Sequence, residues 1–127
     1  MTTLLCIGVS GIRYEYGLTH LSLKWNDVPL NYLFAFNSPN GWIPTYFGQS
    51  GCAATRMPNH PRWDEALAIS NAMRIFAHGA SASEEIRCQE ERDLIANYNP
   101  VLNVQHRGLA PGIGDFGLAR SRRGLLS

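Results

Sequence analysis

The order of apolar and polar residues predicts two strands near the amino terminus. Residues 3–9 form an apolar run of strand length, and a second strand is expected over roughly 12–25. In its second half Leu21, Leu23 and Trp25 alternate with polar residues. A period of two is typical of a strand with one buried face.

The next apolar segments predict a β-hairpin. Residues 31–36 and 42–47 are rich in aromatic and apolar side chains, which favour strands. Between them, residues 37–41 read Asn-Ser-Pro-Asn-Gly, a run of turn-forming residues. Pairing two strands about this turn brings Tyr32 close to Tyr46.

Two short helices and a third core strand are predicted after the hairpin. The alanines within residues 52–57 favour a helix. Pro58 lacks an N–H group and clashes with a helix interior, so this helix either stops near Arg56 or restarts with Pro58 in its first turn. A second helix is expected from Trp63 to about Met73, followed by a strand over 73–78.

The clearest helical pattern covers residues 82–98. Ser81 or Ser83 can cap its amino terminus, and the acidic pair Glu84–Glu85 suits the positive end of the helix dipole. Asn99 and Pro100 then end the helix, and residues 101–104 are expected to pack back as a short extended segment.

Glu91 is the acidic residue on the inward face of this helix. On a helical wheel it falls within about 60° of the apolar stripe, whose members are Cys88, Leu94, Ile95 and Tyr98. The polar residues expected to point elsewhere are Gln89, Glu90, Arg92 and Asp93, with Glu90 as an ordinary solvent-facing acid. A buried carboxylate needs a cation or hydrogen-bond donors, or else it takes up a proton. A structural ion pair with Arg56 or Arg87 and a functional site are both compatible with this position.

Composition limits the classes of protein to consider. A chain of 127 residues with 45% hydrophobic and 17% charged residues is typical of one globular domain. No apolar run approaches the roughly 20 residues that cross a bilayer, so no membrane partner is expected. The amino terminus lacks the basic start of a signal peptide, and the three cysteines are odd in number and widely spaced. We therefore expect reduced thiols and a cytoplasmic location.

Charge alone does not identify a nucleic-acid partner, because the formal net charge is only +1. Residues 107–127 contain four arginines and many glycines, and we expect them to form a flexible tail. A Gly-x-Gly-x-x-Gly pattern at 112–117 lacks the preceding strand that gives this motif its meaning.

Several of these residues together resemble the GIY-YIG nuclease superfamily. Tyr46-Phe47-Gly48 is similar to the second motif of that family, and Leu30-Asn31-Tyr32, after Pro29, stands where the first is expected. Arg56 follows Tyr46 by ten positions and His60 follows by four more, as in the amino-terminal domain of bacterial excision-repair incision enzymes. Glu91 and the Tyr98-to-Asn103 segment are similar to the closing helix of the family and its Pro-x-x-Asn ending.

The resemblance covers residues 28–106 and implies an α+β fold. The family has a small three-stranded antiparallel sheet flanked by helices in the order ββαβα, so the first two strands here are an extra amino-terminal pair. The domain is expected to span 1–106. The sequence departs from the family in the first motif, where Leu30 replaces glycine and Asn31 replaces an apolar residue, and at Pro58.

The resemblance also implies a metal-dependent endonuclease acting on DNA, with RNA as a further possible substrate. One divalent ion, Mg²⁺ or Mn²⁺, would be held by Glu91, and Arg56 would clamp the phosphate oxygens. Tyr46 would activate the attacking water with help from Tyr32 and His60. The protein is expected to be a monomer or a homodimer.

Two other functions stay open at this point. The altered first motif and the near-neutral charge are compatible with a catalytically weak or inactive nucleic-acid-binding module of the same fold. A different small enzyme that uses tyrosine and arginine on a non-nucleotide substrate is the third reading, since a fold does not fix a function.

Overall fold

The structure is a computed structural model that describes residues 2–103. These residues form an α+β fold of five strands and three helices: β1 (Thr3–Ile7), β2 (Arg13–Leu18), β3 (Leu30–Ser38), β4 (Gly41–Ser50), α1 (Ala53–Arg56), α2 (Trp63–Ile69), β5 (Arg74–Gly79) and α3 (Glu84–Tyr98). The tail predicted at 107–127 lies outside the described residues.

All five strands belong to one antiparallel sheet with the order β1-β2-β5-β3-β4. The predicted hairpin is β3 and β4, and the predicted third core strand, β5, pairs with the other side of β3. The amino-terminal pair joins the sheet because β2 pairs with β5 at Gly17 and Leu18. The α+β class and the antiparallel sheet are therefore as expected.

The strand expected over 12–25 is wrong in its second half. β2 ends at Leu18, and Leu21 and Leu23 are 60% and 43% exposed. Thr19, which follows the strand, donates both its backbone N–H and its hydroxyl to the Ile75 carbonyl, and no strand pairing is found for residues 20–25. Three alternating pairs without a neighbouring strand do not make a strand, because the ladder partner is missing.

Other predicted boundaries shift by a few residues. β1 ends at Ile7 rather than residue 9, because the Gly8 N–H bonds the Ile12 carbonyl and closes a turn. α2 ends at Ile69 rather than near Met73, since Ser70 is extended. Residues 101–103 form a 3₁₀ turn instead of the expected extended segment.

The sheet buries a different apolar cluster on each face. Along β3, Tyr32 and Phe34 point to one face while Leu33 and Ala35 point to the other, as the strand pleat requires. The first face carries α1 and α2 over this cluster: Leu30, Tyr32, Phe34, Tyr46, Ala53, Met57, Ala66 and Met73. The second face carries α3 over this one: Leu4, Cys6, Tyr16, Leu33, Ala35, Phe47, Phe76, Leu94 and Tyr98.

Both ends of α3 are fixed by specific contacts. Ser83 is the amino-terminal cap, as predicted, and its hydroxyl accepts from the Ile86 N–H at 3.3 Å. Asn99 ends the helix in the left-handed conformation at φ 47°. Near this end the Tyr98 hydroxyl accepts from the Ile7 N–H at 2.9 Å, which ties α3 to β1. No helix within residues 2–103 is both long enough and apolar enough to span a membrane.

Candidate active site

An open cleft of about 550 Å³ lies at the β4 end of the sheet, between β4, α1 and α3. Three of the five residues that the sequence predicts for the site line it: Tyr46 from β4, Arg56 from α1 and Glu91 from α3. The other lining residues are Gln49, Arg92, Ile95, Ala96 and Asn103. Side chains separated by 45 positions in the sequence thus meet in one concavity.

The remaining two predicted residues lie behind Tyr46 rather than in the cleft. Tyr32 is fully buried and His60 is 6% exposed. The Tyr32 hydroxyl is 2.6 Å from His60 Nε2, and the Tyr32 and Tyr46 ring centroids are 6.2 Å apart. The imidazole therefore bonds the inner phenol, and its ring also packs edge-on against that of Tyr46, with the centroids 5.4 Å apart.

The hydrogen bonds of His60 determine which proton it carries. Its Nδ1 accepts the backbone N–H of Arg62 at 3.0 Å, so the neutral ring carries its proton on Nε2 and donates it to the Tyr32 oxygen. Burial, together with the charges of Arg56 and Arg62, lowers the pKa of His60 to about 4. The imidazole is therefore neutral at physiological pH.

Because the Tyr32 oxygen accepts from His60, the Tyr32 hydroxyl is available to donate its proton to Tyr46. A hydrogen bond from Tyr32 and one from the Arg56 guanidinium both act to lower the pKa of Tyr46. The hydrogen bonds therefore run in one direction, from His60 to Tyr32 and from Tyr32 to Tyr46. Tyr46, which lines the cleft, accepts hydrogen bonds from both Tyr32 and Arg56.

Burial of the two phenols raises their pKa values and so acts against these hydrogen-bond donors. The pKa of Tyr46 stays above its ordinary value because desolvation outweighs the Arg56 charge, with Glu91 adding repulsion. The pKa of Tyr32 is raised for the same first reason, with the neighbouring Tyr46 as the second cause. Both phenols are therefore neutral in the protein alone, and a phenolate at Tyr46 requires an additional positive charge nearby.

The Arg56 guanidinium joins the two phenols. Hydrogen bonding to Tyr32 is the main cause that raises the pKa of Arg56, and Tyr46 adds to it. As predicted from Pro58, α1 ends at Arg56. Asn59 then takes the left-handed conformation at φ 58° and the chain turns back, which brings His60 onto the phenols.

The close approach of the Tyr32 ring to Gly48 explains why the segment Tyr46-Phe47-Gly48 has a glycine at its third position. In the sheet it lies directly opposite Tyr32, and a β-carbon at position 48 would stand 2.4 Å from Tyr32 Cζ. That separation is far inside van der Waals contact. The absence of a side chain at Gly48 thus creates the space in which the inner phenol packs.

Glu91 borders the cleft without a hydrogen bond or ion pair to any residue within 2–103. Burial raises its pKa to about 7, although the charges of Arg92 and Arg56 oppose the shift. The structural pairing with Arg87 that the sequence left open does not form. Arg87 instead donates to Gln49 and to the Ser81 and Ala82 carbonyls.

Arg92 was expected to point away from the site, and this is wrong. It lines the cleft beside Glu91, and its charge is the leading influence that lowers the carboxylate pKa. Although Arg92 is the next residue along the helix, its long side chain reaches round to the opening. The cleft thus carries two guanidinium groups around one carboxylate.

Asn103 closes the inner end of the cleft. Its Oδ1 accepts the Phe47 N–H at 2.8 Å and its Nδ2 donates to the Phe47 carbonyl at 3.0 Å. The side-chain amide thereby satisfies both backbone groups of an edge-strand residue, which a further strand would otherwise do. This is the structural role of the asparagine in the Pro-x-x-Asn ending.

Glu90 was expected to face solvent, and this is also wrong. Its Oε2 accepts the Tyr16 hydroxyl at 2.5 Å and lies 2.6 Å from His78 Nε2. The other ring nitrogen of His78 lies 2.7 Å from the Gly79 carbonyl, which can only accept, so both nitrogens carry protons. Burial would lower the pKa of His78, but the bonds to Glu90 and Gly79 and the Glu90 charge raise it.

A polar row that was not predicted from the sequence crosses the sheet beneath α3. Tyr16 follows the β2–β5 register to His78, which pairs with Asn31, and Asn31 pairs with Gln49. Each of the four bonds a residue of α3: Tyr16 and His78 to Glu90, Asn31 to the Arg87 carbonyl, and Gln49 to the Arg87 guanidinium. The one sequence signal was Asn31, which interrupts an apolar strand.

The metal-binding capacity of the cleft rests on one carboxylate. Within residues 2–103 no three histidine, cysteine or acidic side chains cluster as a metal site, and Glu91 is the only acidic residue among those that line the cleft. A single unpaired carboxylate in an open, water-accessible cleft fits Mg²⁺, which keeps several waters and needs few protein oxygens. It does not fit zinc, which takes three or four protein ligands.

Comparison of the chain with protein-family models, with curated protein sequences and with solved structures finds no match.

Proposed function

We propose that this protein is a metal-dependent endonuclease that hydrolyses phosphodiester bonds in DNA, with the chemistry of the GIY-YIG superfamily. One observation carries the proposal. A phenol, two guanidinium groups and a carboxylate with no partner among residues 2–103 border one open cleft, and the phenol is the end of a hydrogen-bonded chain that begins at a neutral histidine.

Arg56 serves as the clamp for the scissile phosphate. Its guanidinium lies against both phenols and lines the cleft, so it can bond non-bridging oxygens while it supports negative charge on Tyr46. Arginine suits this role because its planar donors match two phosphate oxygens. Arg92, across Glu91, is in position to contact the neighbouring part of the same strand.

Tyr46 would accept the proton of the attacking water in its phenolate form, after it has released its own hydroxyl proton to solvent. An unperturbed tyrosine has a pKa near 10, and burial makes ionisation harder still. The donors that face its oxygen, Tyr32 and Arg56, stabilise the phenolate once it forms. His60 keeps Tyr32 oriented as a donor, because its Nε2–H occupies the Tyr32 lone pair.

Glu91 would hold one Mg²⁺ or Mn²⁺ ion. The ion would supply a Lewis acid for the phosphate and leaving oxygens and the positive charge that Tyr46 lacks. Glu91 is suited to this because burial without a partner makes its ionised form costly, and a divalent ion relieves that cost.

The arrangement of elements supports the same reading. Strands β4, β3 and β5 are neighbours in an antiparallel sheet, with α1 and α2 inserted before β5 and α3 after it. Apart from the division of the inserted helix into two, this is the ββαβα order that the sequence resemblance implies. The amino-terminal pair β1 and β2 is then an addition on the far edge.

A cleavage panel tests the proposal. Purified protein with Mg²⁺ is expected to nick or cut at least one of duplex, nicked, branched and single-stranded DNA, and Glu91→Ala is expected to abolish the cleavage. Glu85→Ala, on the exposed side of the same helix, is the control and is expected to cut normally. DNA left intact across the whole panel, or cut equally by Glu91→Ala, would contradict the proposal.

The alternative is a nucleic-acid-binding module of the same fold that does not cleave. The raised pKa values of both phenols favour it, as does the first motif, in which Leu30 and Asn31 replace the family residues. Such a module would protect DNA from added nuclease in the absence of Mg²⁺ and leave the strand intact. In either case the proposed partner is DNA, with RNA as a further candidate.

A further inference from the structure

Gln49 is held with a defined orientation at the rim of the cleft. Arg87 Nε donates to its side-chain oxygen at 2.8 Å. A guanidinium nitrogen can only donate, so the atom facing it must be Oε1 and the amide NH₂ lies on the other side. That NH₂ group has no hydrogen-bond partner among residues 2–103, and Gln49 lines the cleft.

Arg87 is fixed independently of Gln49. It is 6% exposed, and its Nη1 donates to the carbonyls of Ser81 at 2.8 Å and Ala82 at 3.0 Å, just ahead of α3. Its own carbonyl accepts Asn31 Nδ2 at 3.1 Å. No carboxylate pairs with it in the described part of the chain. A buried cation held by backbone carbonyls and one amide oxygen is thus a rigid support for that amide.

We propose that Gln49 donates its amide N–H to a non-bridging oxygen of the phosphodiester bound in the cleft, and that Arg87 is the positioning residue that fixes this donor. The inference rests on the proposed function and adds to it a neutral phosphate contact beside Arg56. A neutral donor at this place binds the phosphate without adding to the charges that already act on Glu91. Arg87 itself does not touch the substrate.

A double-mutant cycle tests the inference in the full-length protein. Single-turnover cleavage with Mg²⁺ is measured for Gln49→Ala, Arg87→Lys and the double variant. Gln49→Ala is expected to slow cleavage about 10²-fold, as for removal of one preorganised donor. Arg87→Lys is expected to slow cleavage about 10-fold in the wild-type background and not at all in the Gln49→Ala background, because the lysine effect acts only through the amide.

If the double variant's rate loss equals the product of the losses in the two single variants, Arg87 does not act through Gln49, and the positioning role of Arg87 would be overturned. Gln49→Glu covers the case in which the lysine variant fails to fold. A glutamate still accepts from Arg87, so the fold is retained while the donor is lost, and slow cleavage is expected. Normal cleavage by Gln49→Glu would overturn the phosphate contact. Gln89→Glu, an exposed residue on α3, controls for the added charge and is expected to cleave normally.

The two proposals fail in different ways. Cleavage that depends on Glu91 but not on Gln49 would overturn this inference alone. A wild-type protein that cleaves nothing would overturn the proposed function and this inference together, since Gln49 would have no phosphodiester to hold.

Discussion

Two sets of tyrosine, histidine and glutamate occur in this small domain, and each takes its glutamate from α3. In the closed set, Tyr16 and His78 both bond the carboxylate of Glu90. In the open set, His60 and two phenols are linked to one another while Glu91 stands apart with no hydrogen bond from the described residues. The same three residue types thus form a network that includes the carboxylate in the closed set, and one that leaves the carboxylate without a described hydrogen bond in the open set.

The difference lies in what satisfies each carboxylate. Glu90 has a donor and a cation within the protein, which is how buried acids are normally stabilised. Among the described residues Glu91 has no hydrogen bond or ion pair, and burial raises its pKa to about 7 although the charges of Arg92 and Arg56 oppose the shift. Acids with strongly perturbed pKa values in clefts are candidates for function rather than stability. The neighbouring glutamates of one helix therefore give a matched pair for experiment.

The largest expected difference comes from neutralising each glutamate. Glu91→Gln is expected to reduce cleavage by about 10³-fold or more, because a metal ligand at the transition state is lost. Glu90→Gln is expected to keep most of the cleavage activity but lose about 1–3 kcal/mol of unfolding free energy, since it breaks a buried network. Cleavage rates and urea unfolding of both variants check this pair. The reverse assignment of effects would contradict the comparison.

The next largest expected difference in cleavage rate is between variants of Tyr46, in the open set, and Tyr16, in the closed set. Tyr46→Phe is expected to slow cleavage at least 10²-fold, in the range of lost proton transfer, with DNA binding retained. Tyr16→Phe is expected to lower stability by about 1 kcal/mol and leave the cleavage rate unchanged, because its hydroxyl bonds Glu90 and no other described residue. Single-turnover rates and binding isotherms distinguish the two. Equal rates for Tyr46→Phe and the wild type would remove Tyr46 from the mechanism.

Gly48→Ala tests the packing of the inner phenol. The new methyl group would collide with the Tyr32 ring, so we expect a loss of about 1–3 kcal/mol in stability and a displaced Tyr32 that slows cleavage. Gly79→Ala is the control, because a β-carbon there meets nothing within 4 Å. Thermal melts and cleavage rates measure both effects. An alanine at 48 without consequence would mean that the phenol packs elsewhere.

The smallest expected effect is the pH dependence of stability from the closed set. His78 has a raised pKa in the folded protein, against about 6.5 when unfolded. Its contribution is therefore fully present below pH 6.5 and is lost as the pH rises through the folded value. We expect His78→Gln to remove this decrease, of up to about 1 kcal/mol for a partly exposed pair. Unfolding of the two proteins from pH 5 to 9 measures it, and parallel curves would contradict it.

Much of the fold was predictable from local signals. The turn residues at 37–41 and the flanking apolar runs indicated the β3–β4 hairpin, and Ser83 and Asn99 marked the ends of α3. The same reasoning failed at Leu21 and Leu23, because alternation was read without a partner strand to support it. Strand length depends on pairing, which a local pattern does not contain.

The candidate site was predictable in its residues but not in its connections. The inward position of Glu91 followed from the helical wheel. The helical wheel misplaced Glu90 and Arg92. It gives the direction of the Cα–Cβ bond, whereas the position of the charged group also depends on the length and rotamer of the side chain. The row from Tyr16 to Gln49 depends on the register of four strands, so no single segment of the sequence reveals it.

The central claim is that Glu91 is an acid held unpaired for a divalent ion. Its folded pKa lies above its ordinary value, so its ionisation destabilises the fold as the pH rises through that range and is fully costly at pH 8. The decisive measurement is the melting temperature at pH 8, with and without Mg²⁺, of the wild type and Glu91→Gln. We predict that Mg²⁺ raises the melting temperature of the wild type, whereas Glu91→Gln melts higher than the wild type without metal and does not respond to Mg²⁺. Equal responses of the two proteins to Mg²⁺, or a Glu91→Gln variant less stable than the wild type without metal, would contradict the claim.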